Sequence, residues 1–136
     1  MIVFPKNAIT FAGATHAKID FASAMLKNDS FSEIPAEYAK FLLATDGAIV
    51  GEAEFYGAEA HARQNYVFPD IAAANRVFKD MQHPLAKGNL MLARGIEAML
   101  MWEASTGFFV LCDRLDFAEI ARAATFEEAF GAMVNA

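Results

Sequence analysis

Cysteine is nearly absent from this chain. Cys112 stands alone among 136 residues, so no internal disulfide can form and a zinc site would need mostly nitrogen and oxygen ligands. A reducing compartment suits that composition. Basic residues are also scarce: eleven lysines and arginines against seventeen acids leave a formal charge of −6, which disfavours nucleic acid or an anionic membrane as partner. A basic partner is favoured electrostatically, although modest acidity also serves solubility. Long apolar runs are missing, since charges interrupt the hydrophobic segments well short of the ~20 residues that a membrane-spanning helix requires. The start, Met1 to Lys6, lacks the basic flank, apolar run and small-residue cleavage site of a secretion signal. The cytoplasm is therefore the expected location. No Gly-x-Ser-x-Gly elbow, phosphate-binding Gly-x-x-x-x-Gly-Lys loop or dinucleotide fingerprint occurs, which removes the motif-based routes to an enzyme.

What the chain does have is apolar mass. Hydrophobic residues make up 56%, with 13 phenylalanines, enough to offset the entropy of ordering one well-packed domain spanning residues 1–136. Seven methionines suit flexible gap-filling in a core, or an adaptable binding surface.

Periodicity divides the sequence. Thr15 is a suitable N-cap for a helix to about Lys27, with Ile19, Ala22, Met25 and Leu26 as its stripe, before Asn28-Asp29-Ser30 breaks it. A second helix begins at Ile34-Pro35, where proline suits the first helical position, and carries Tyr38, Phe41 and Leu42 on one face. Gly47 occupies the place of a left-handed C-terminal residue. Ala48 to Tyr56 reads as one strand with a wet face, ended by Gly57. Pro69 and Asp70 start a third helix carrying Ile71, Ala74, Val77, Phe78 and Met81, which His83-Pro84 closes. Leu90 to Ala93, Ala98 to Glu103 and Phe108 to Asp113 form an antiparallel meander. Phe117 to Arg122 reads as extended, and Thr125 with Glu128 makes a capping box for a last helix buried through Phe126, Phe130, Met133 and Val134. The fold class expected is α+β, with a largely antiparallel sheet of about four to six strands and helices packed against it.

Candidate chemistry is sparse. His16, His61 and His83 are far apart and lack the paired spacing of common metal sites, so neither metal nor cofactor is expected. His61 stands out, because a loop after Tyr56-Gly57 would expose it with Arg63 and Asn65. Cys112 ends an apolar strand beside Asp113, a setting for an inert buried thiol. The pairs Glu52/Glu54, Asp113/Asp116 and Glu127/Glu128 imitate catalytic carboxylates, but the period of two turns Glu52 and Glu54 toward solvent together.

The order of these signals is more telling than any one. An Ile-Pro-x-x-Tyr-x-x-Phe-Leu helix runs to Asp46-Gly47. Glu54-Phe55-Tyr56-Gly57, a helix, Leu90-Met91-Leu92-Ala93, the strand Ala98 to Glu103, Thr106-Gly107 at a hairpin and Thr125-Phe126-Glu127-Glu128-Ala129-Phe130 then follow. Over roughly residues 30 to 134 this resembles the SUKH superfamily. That Smi/Knr-type domain includes a yeast cell-wall synthesis regulator and many bacterial immunity proteins against polymorphic toxins. The chain departs from the family in having Asp46-Gly47-Ala48 where Asn-Gly-Gly is common, and a compact Arg94-Gly95-Ile96 turn, which leaves the subfamily open. The resemblance implies a non-enzymatic protein that binds another protein, in bacterial members a nuclease or deaminase toxin. It makes Glu52, Glu54, Asp113 and Asp116 the contacts expected for a basic toxin domain. Two further readings stand beside immunity: a regulatory scaffold that recruits partners, and a small enzyme with a pocket assembled from distant residues. A homo-oligomer fits any of the three.

Overall fold

The computed structural model describes residues 2–136. The chain runs β1 (Ile9–Thr10), α1 (His16–Asn28), α2 (Ala36–Ala44), β2 (Ala48–Val50), β3 (Ala53–Phe55), β4 (His61–Ala62), β5 (Val67–Phe68) and α3 (Ile71–Asp80). A 3-10 turn at Pro84–Ala86 leads to β6 (Asn89–Arg94), β7 (Ala98–Glu103), β8 (Phe108–Asp113), β9 (Glu119–Ala123) and α4 (Phe126–Val134). Seven strands form one antiparallel sheet in the order β1-β2-β3-β6-β7-β8-β9, and β4 with β5 makes a separate ribbon. The α+β class expected from periodicity is the one observed. The strand count is higher because two-residue β1 and a hairpin of three-residue strands are too short to give a periodic signal.

Two helix N-termini follow from their caps. The Thr15 hydroxyl accepts the Lys18 N–H at 3.2 Å, and Thr125 accepts the Glu128 N–H at 3.3 Å. Pro35 lies one position earlier than expected: it is the N-cap, with ψ 149°, and Ala36 is the first helical residue. Gly47 also departs from expectation. The helix stops at Ala44, and Thr45 is extended (φ −148°), its hydroxyl accepting the Phe11 N–H and donating to the Gly47 carbonyl. The positive φ of Gly47 (86°) thus serves the turn into β2, not a helix cap. Ala48 to Tyr56 is two strands, not one: Val50 pairs with Ala53 around the turn Gly51-Glu52, and Gly51 supplies positive φ. Likewise α3 ends at Asp80, before His83-Pro84.

One face of the sheet carries the aromatic core. Phe126 and Phe130 of α4 meet Phe55 of β3, and Phe126 also meets Tyr38 and Phe41 of α2 and Phe109 of β8. In register, Phe55, Ala93, Leu100, Leu111 and Ala121 line up across five strands on this side. The neighbouring row is Glu54, Arg94, Met99, Cys112 and Glu119, and alternation turns it to the opposite face. Register and pleat alone therefore place two charges and a thioether side by side on the sheet's other surface.

β6 is longer than its short neighbour β3, which leaves its edge at Met91 without a strand partner. Asn75 of α3, fully buried, closes that edge: its side chain accepts the Met91 N–H at 2.8 Å and donates to the Met91 carbonyl at 2.9 Å. A buried peptide group left unsatisfied costs about 1–3 kcal/mol, so this amide fixes α3 beside the sheet. Asp29, at the end of α1, ties that helix to α3 through Arg76 (3.0 Å) and the Lys79 ammonium on its carbonyl (2.6 Å).

Candidate functional site

A half-open cleft of about 490 Å³ lies where this second row meets α3. Glu54, Arg94 and Met99 form its floor. Val77 of α3 and Met81, its C-cap, stand on one side, Tyr66 of the β4–β5 turn on another, and the β8–β9 loop closes it with Arg114 and Phe117. A shallower continuation passes between Glu52, Glu54 and Ile96.

Its wall residues are apolar and exposed. Tyr66, Val77 and Met81 are 49%, 59% and 72% exposed, although spacing puts Val77 and Met81 in the apolar stripe of α3. Ile71, Ala74 and Phe78 occupy the buried arc of that helix. The apolar set is wider than one buried face, and its excess spills into the cleft.

Positive charge converges at the floor. Arg94 sits opposite Glu54 in register, yet among the described residues no carboxylate lies within ion-pair distance of Arg94. Arg114 donates from Nη1 to the carbonyls of Gly95 (2.6 Å) and Ile96 (3.3 Å), which orients its guanidinium without neutralising it. Tyr56, 3% exposed, lines the same cleft near both arginines, and its hydroxyl has no hydrogen-bond partner among the described residues. Burial raises the Tyr56 pKa, against the pull of Arg94 and Arg114 and with a push from Glu54, so the phenol keeps its proton and remains a donor.

The four acids expected to contact a partner separate into two kinds. Glu54 is half-buried in the cleft, and Glu52 is exposed in the β2–β3 turn beside it rather than on a strand face. Asp113 and Asp116 build the β8–β9 loop: Asp113 Oδ1 accepts the Leu115 and Asp116 N–H groups at 2.7 and 3.2 Å, and Asp116 Oδ1 accepts that of Ala118 at 2.9 Å. They hold the loop that carries Arg114. Sequence reasoning missed both arginines, because what distinguishes them is the partner they lack, and pairing is a three-dimensional property.

The remaining candidates are accounted for by packing. His61 does not lie open with Arg63 and Asn65; it stacks on Phe11 at 4.1 Å and bonds through Nε2 to Asp46, whose carboxylate also accepts the Ala58 and Glu59 N–H groups. His16 is exposed at the start of α1. Cys112 is buried, which raises its pKa and disfavours the thiolate. Among the described residues no three His, Cys, Asp or Glu side chains gather in a way that could hold a metal ion. No helix among them is long and apolar enough to cross a membrane.

His83 lies at the end of the cleft between Phe78 (4.2 Å) and Phe117 (4.3 Å), with Nδ1 accepting the Leu85 N–H. Burial lowers its pKa below the ordinary 6.5. The unfolded chain then takes the proton first, so this contribution to stability is complete above pH 6.5 and declines as pH falls through that value toward the lower folded pKa. His83→Phe, which keeps the ring stack, is expected to flatten the acid side of the melting-temperature profile relative to the parent; parallel profiles would exclude His83 as its source. No family model matches the chain, and no curated protein matches it in sequence.

Proposed function

We propose that this domain binds another protein through the cleft beside α3, and that it acts as an immunity protein neutralising a toxin, as the SUKH resemblance implies. The observation that carries the docking reading is the exposure of Tyr66, Val77 and Met81 around a concave floor containing two arginines. Tyrosine, methionine and arginine are the types enriched at the centres of protein interfaces, and a clustered apolar rim is uncommon on a surface that meets only water. Methionines in wall and floor can repack around a partner's side chains. The net charge of −6, with Glu54 in the floor and Glu52 exposed beside the cleft, favours encounter with a basic toxin domain. A regulatory scaffold would use the same surface, and the identity of the captured partner separates the two.

The test is photo-cross-linking in the native host with p-benzoylphenylalanine at Val77, compared with Phe21, which is 69% exposed on α1. The expected result is one discrete adduct from position 77 and none from 21. Recovery of a toxin fragment supports immunity, and recovery of a regulatory protein replaces it with the scaffold reading. An unlinked chain at position 77 overturns the docking surface. Lysine at Glu52 and Glu54 should slow association with a basic toxin about tenfold at low salt; unchanged rates and salt dependence would remove both acids from the interface.

A further inference from the structure

Three of the five arginines escape ion pairing among the described residues, in a chain with surplus acid, and two of those three line one cleft. Arg76 is paired with Asp29, and Arg122 with both Glu103 and Glu119. Arg94 and Arg114 instead line the cleft; among the described residues its floor holds one carboxylate, Glu54, and Glu52 lies in the continuation beside it. Two guanidinium groups against Glu54, with Glu52 alongside, leave at most a single positive charge, which suits a monoanion better than a phosphate dianion.

A second feature points to the same ligand. A tyrosine that is 97% buried normally spends its hydroxyl on a protein partner, as Tyr38 does by pointing its own at the Tyr56 and Leu92 carbonyls. Among the described residues the Tyr56 hydroxyl lacks one, and Tyr56 lines the cleft within electrostatic reach of both arginines. Two guanidinium groups and a neutral phenol around one volume present donors that a carboxylate accepts, one oxygen bonding the arginine forks and the other the phenol. Val77, Met81 and Tyr66 adjoin this polar centre with apolar surface.

Resting on the docking reading above, we infer that the cleft receives a carboxylate borne on an apolar segment: an Asp, Glu or chain-terminal carboxylate of the partner, flanked by aliphatic or aromatic residues. The partner's overall charge and its anchoring residue then differ in sign. Long-range attraction comes from the chain's acidity, and the local anchor is an acid inserted between Arg94, Arg114 and Tyr56.

The experiment titrates the full ¹⁵N-labelled chain with acetyl-Leu-Glu-Leu-amide, and in parallel with the Gln and Lys counterparts and with inorganic phosphate. The Glu peptide is expected to shift the amide resonances of Tyr56, Val77, Arg94 and Arg114 and to saturate at about tenfold lower concentration than the Gln peptide. Arg94→Gln should erase that preference, and Arg114→Lys, which keeps the charge but loses the fork, should weaken it. Tyr56→Phe should lower Glu-peptide affinity several-fold without lowering the melting temperature, since that hydroxyl makes no hydrogen bond among the described residues. Equal binding of the Gln peptide, preference for the Lys peptide, or the same shifts from phosphate alone would overturn the inference while leaving the docking surface intact. Silence from all four probes would also overturn it, and the cross-link at position 77 judges the docking reading separately.

Discussion

Gly57→Ala is expected to cost more than about 3 kcal/mol and to abolish cooperative unfolding at ordinary temperature. A Cβ at this position would collide with the Asp46 carbonyl oxygen and lie 2.8 Å from the Asp46 carboxyl carbon. Neither can move cheaply. The carbonyl is backbone, and the carboxylate is 3% exposed and holds the N–H groups of Ala58 and Glu59. The clasp is reciprocal, since a Cβ on Gly47 would meet the Phe55 carbonyl oxygen at 2.7 Å and the Gly57 nitrogen at 2.9 Å, at a φ of +86°. Gly131→Ala supplies the control of opposite sign: it lies inside α4 with open space around it, so alanine should stabilise by about 0.5–1 kcal/mol. Urea midpoints of the two variants decide the matter, and a parental midpoint for Gly57→Ala would refute the clasp.

The second large effect belongs to Phe126. Its ring lies 5.0 to 6.3 Å from those of Tyr38, Phe41, Phe55, Phe109 and Phe130, and it is 2% exposed. Truncation to alanine leaves a cavity shared by two helices and two strands, where no single element can collapse to fill it. A loss of about 3–5 kcal/mol is expected. Trp102, the sole tryptophan, sits 4.8 Å from Phe109 and supplies the fluorescence signal for that measurement. A cost under about 1 kcal/mol would mean that the cluster relaxes around the gap. Phe21, exposed on α1, should tolerate the same change within about 0.5 kcal/mol.

These two sites indicate how the sequence encodes the fold. The Thr15 and Thr125 caps, the β6–β8 meander and the stripes of α1, α2 and α4 were legible because each is local, set by capping chemistry or by side chains a few residues apart. Gly47 was legible as punctuation but not in its role. Its positive φ is visible in principle from one residue, whereas its contact with Gly57 depends on two turns meeting. The split of Ala48 to Tyr56 into a hairpin was hidden because three-residue strands are shorter than the window that reveals alternation.

The cleft was less legible than the core, for a physical reason. Val77 and Met81 have the spacing of buried residues, and only the position of α3 at the edge of β6, fixed by Asn75, decides that they face outward. Glu52 and Glu54 were recognisable as exposed acids. Arg94 and Arg114 were not recognisable at all, since the end of a strand and a loop separated by twenty residues must converge before their missing partners become a property. Asp113 and Asp116 share the composition of a contact surface, yet their carboxylates are occupied by backbone N–H groups of their own loop.

The separation of the β4–β5 ribbon from the main sheet bears on how such a domain changes over evolutionary time. Tyr66 forms one wall of the cleft from a segment whose strands, among the described residues, pair only with each other, His61 with Phe68 and Ala62 with Val67. Phe68 roots that segment between Phe11 and Tyr56, and Asp46 holds its base, while the turn from Arg63 to Tyr66 bears no part of the core. Substitutions and insertions in the turn can therefore accumulate without taxing the frame, and each one redraws a wall of the binding surface. A lineage obliged to follow a changing partner would find its variation concentrated there, while the glycine clasp and the aromatic cluster stayed constant behind it.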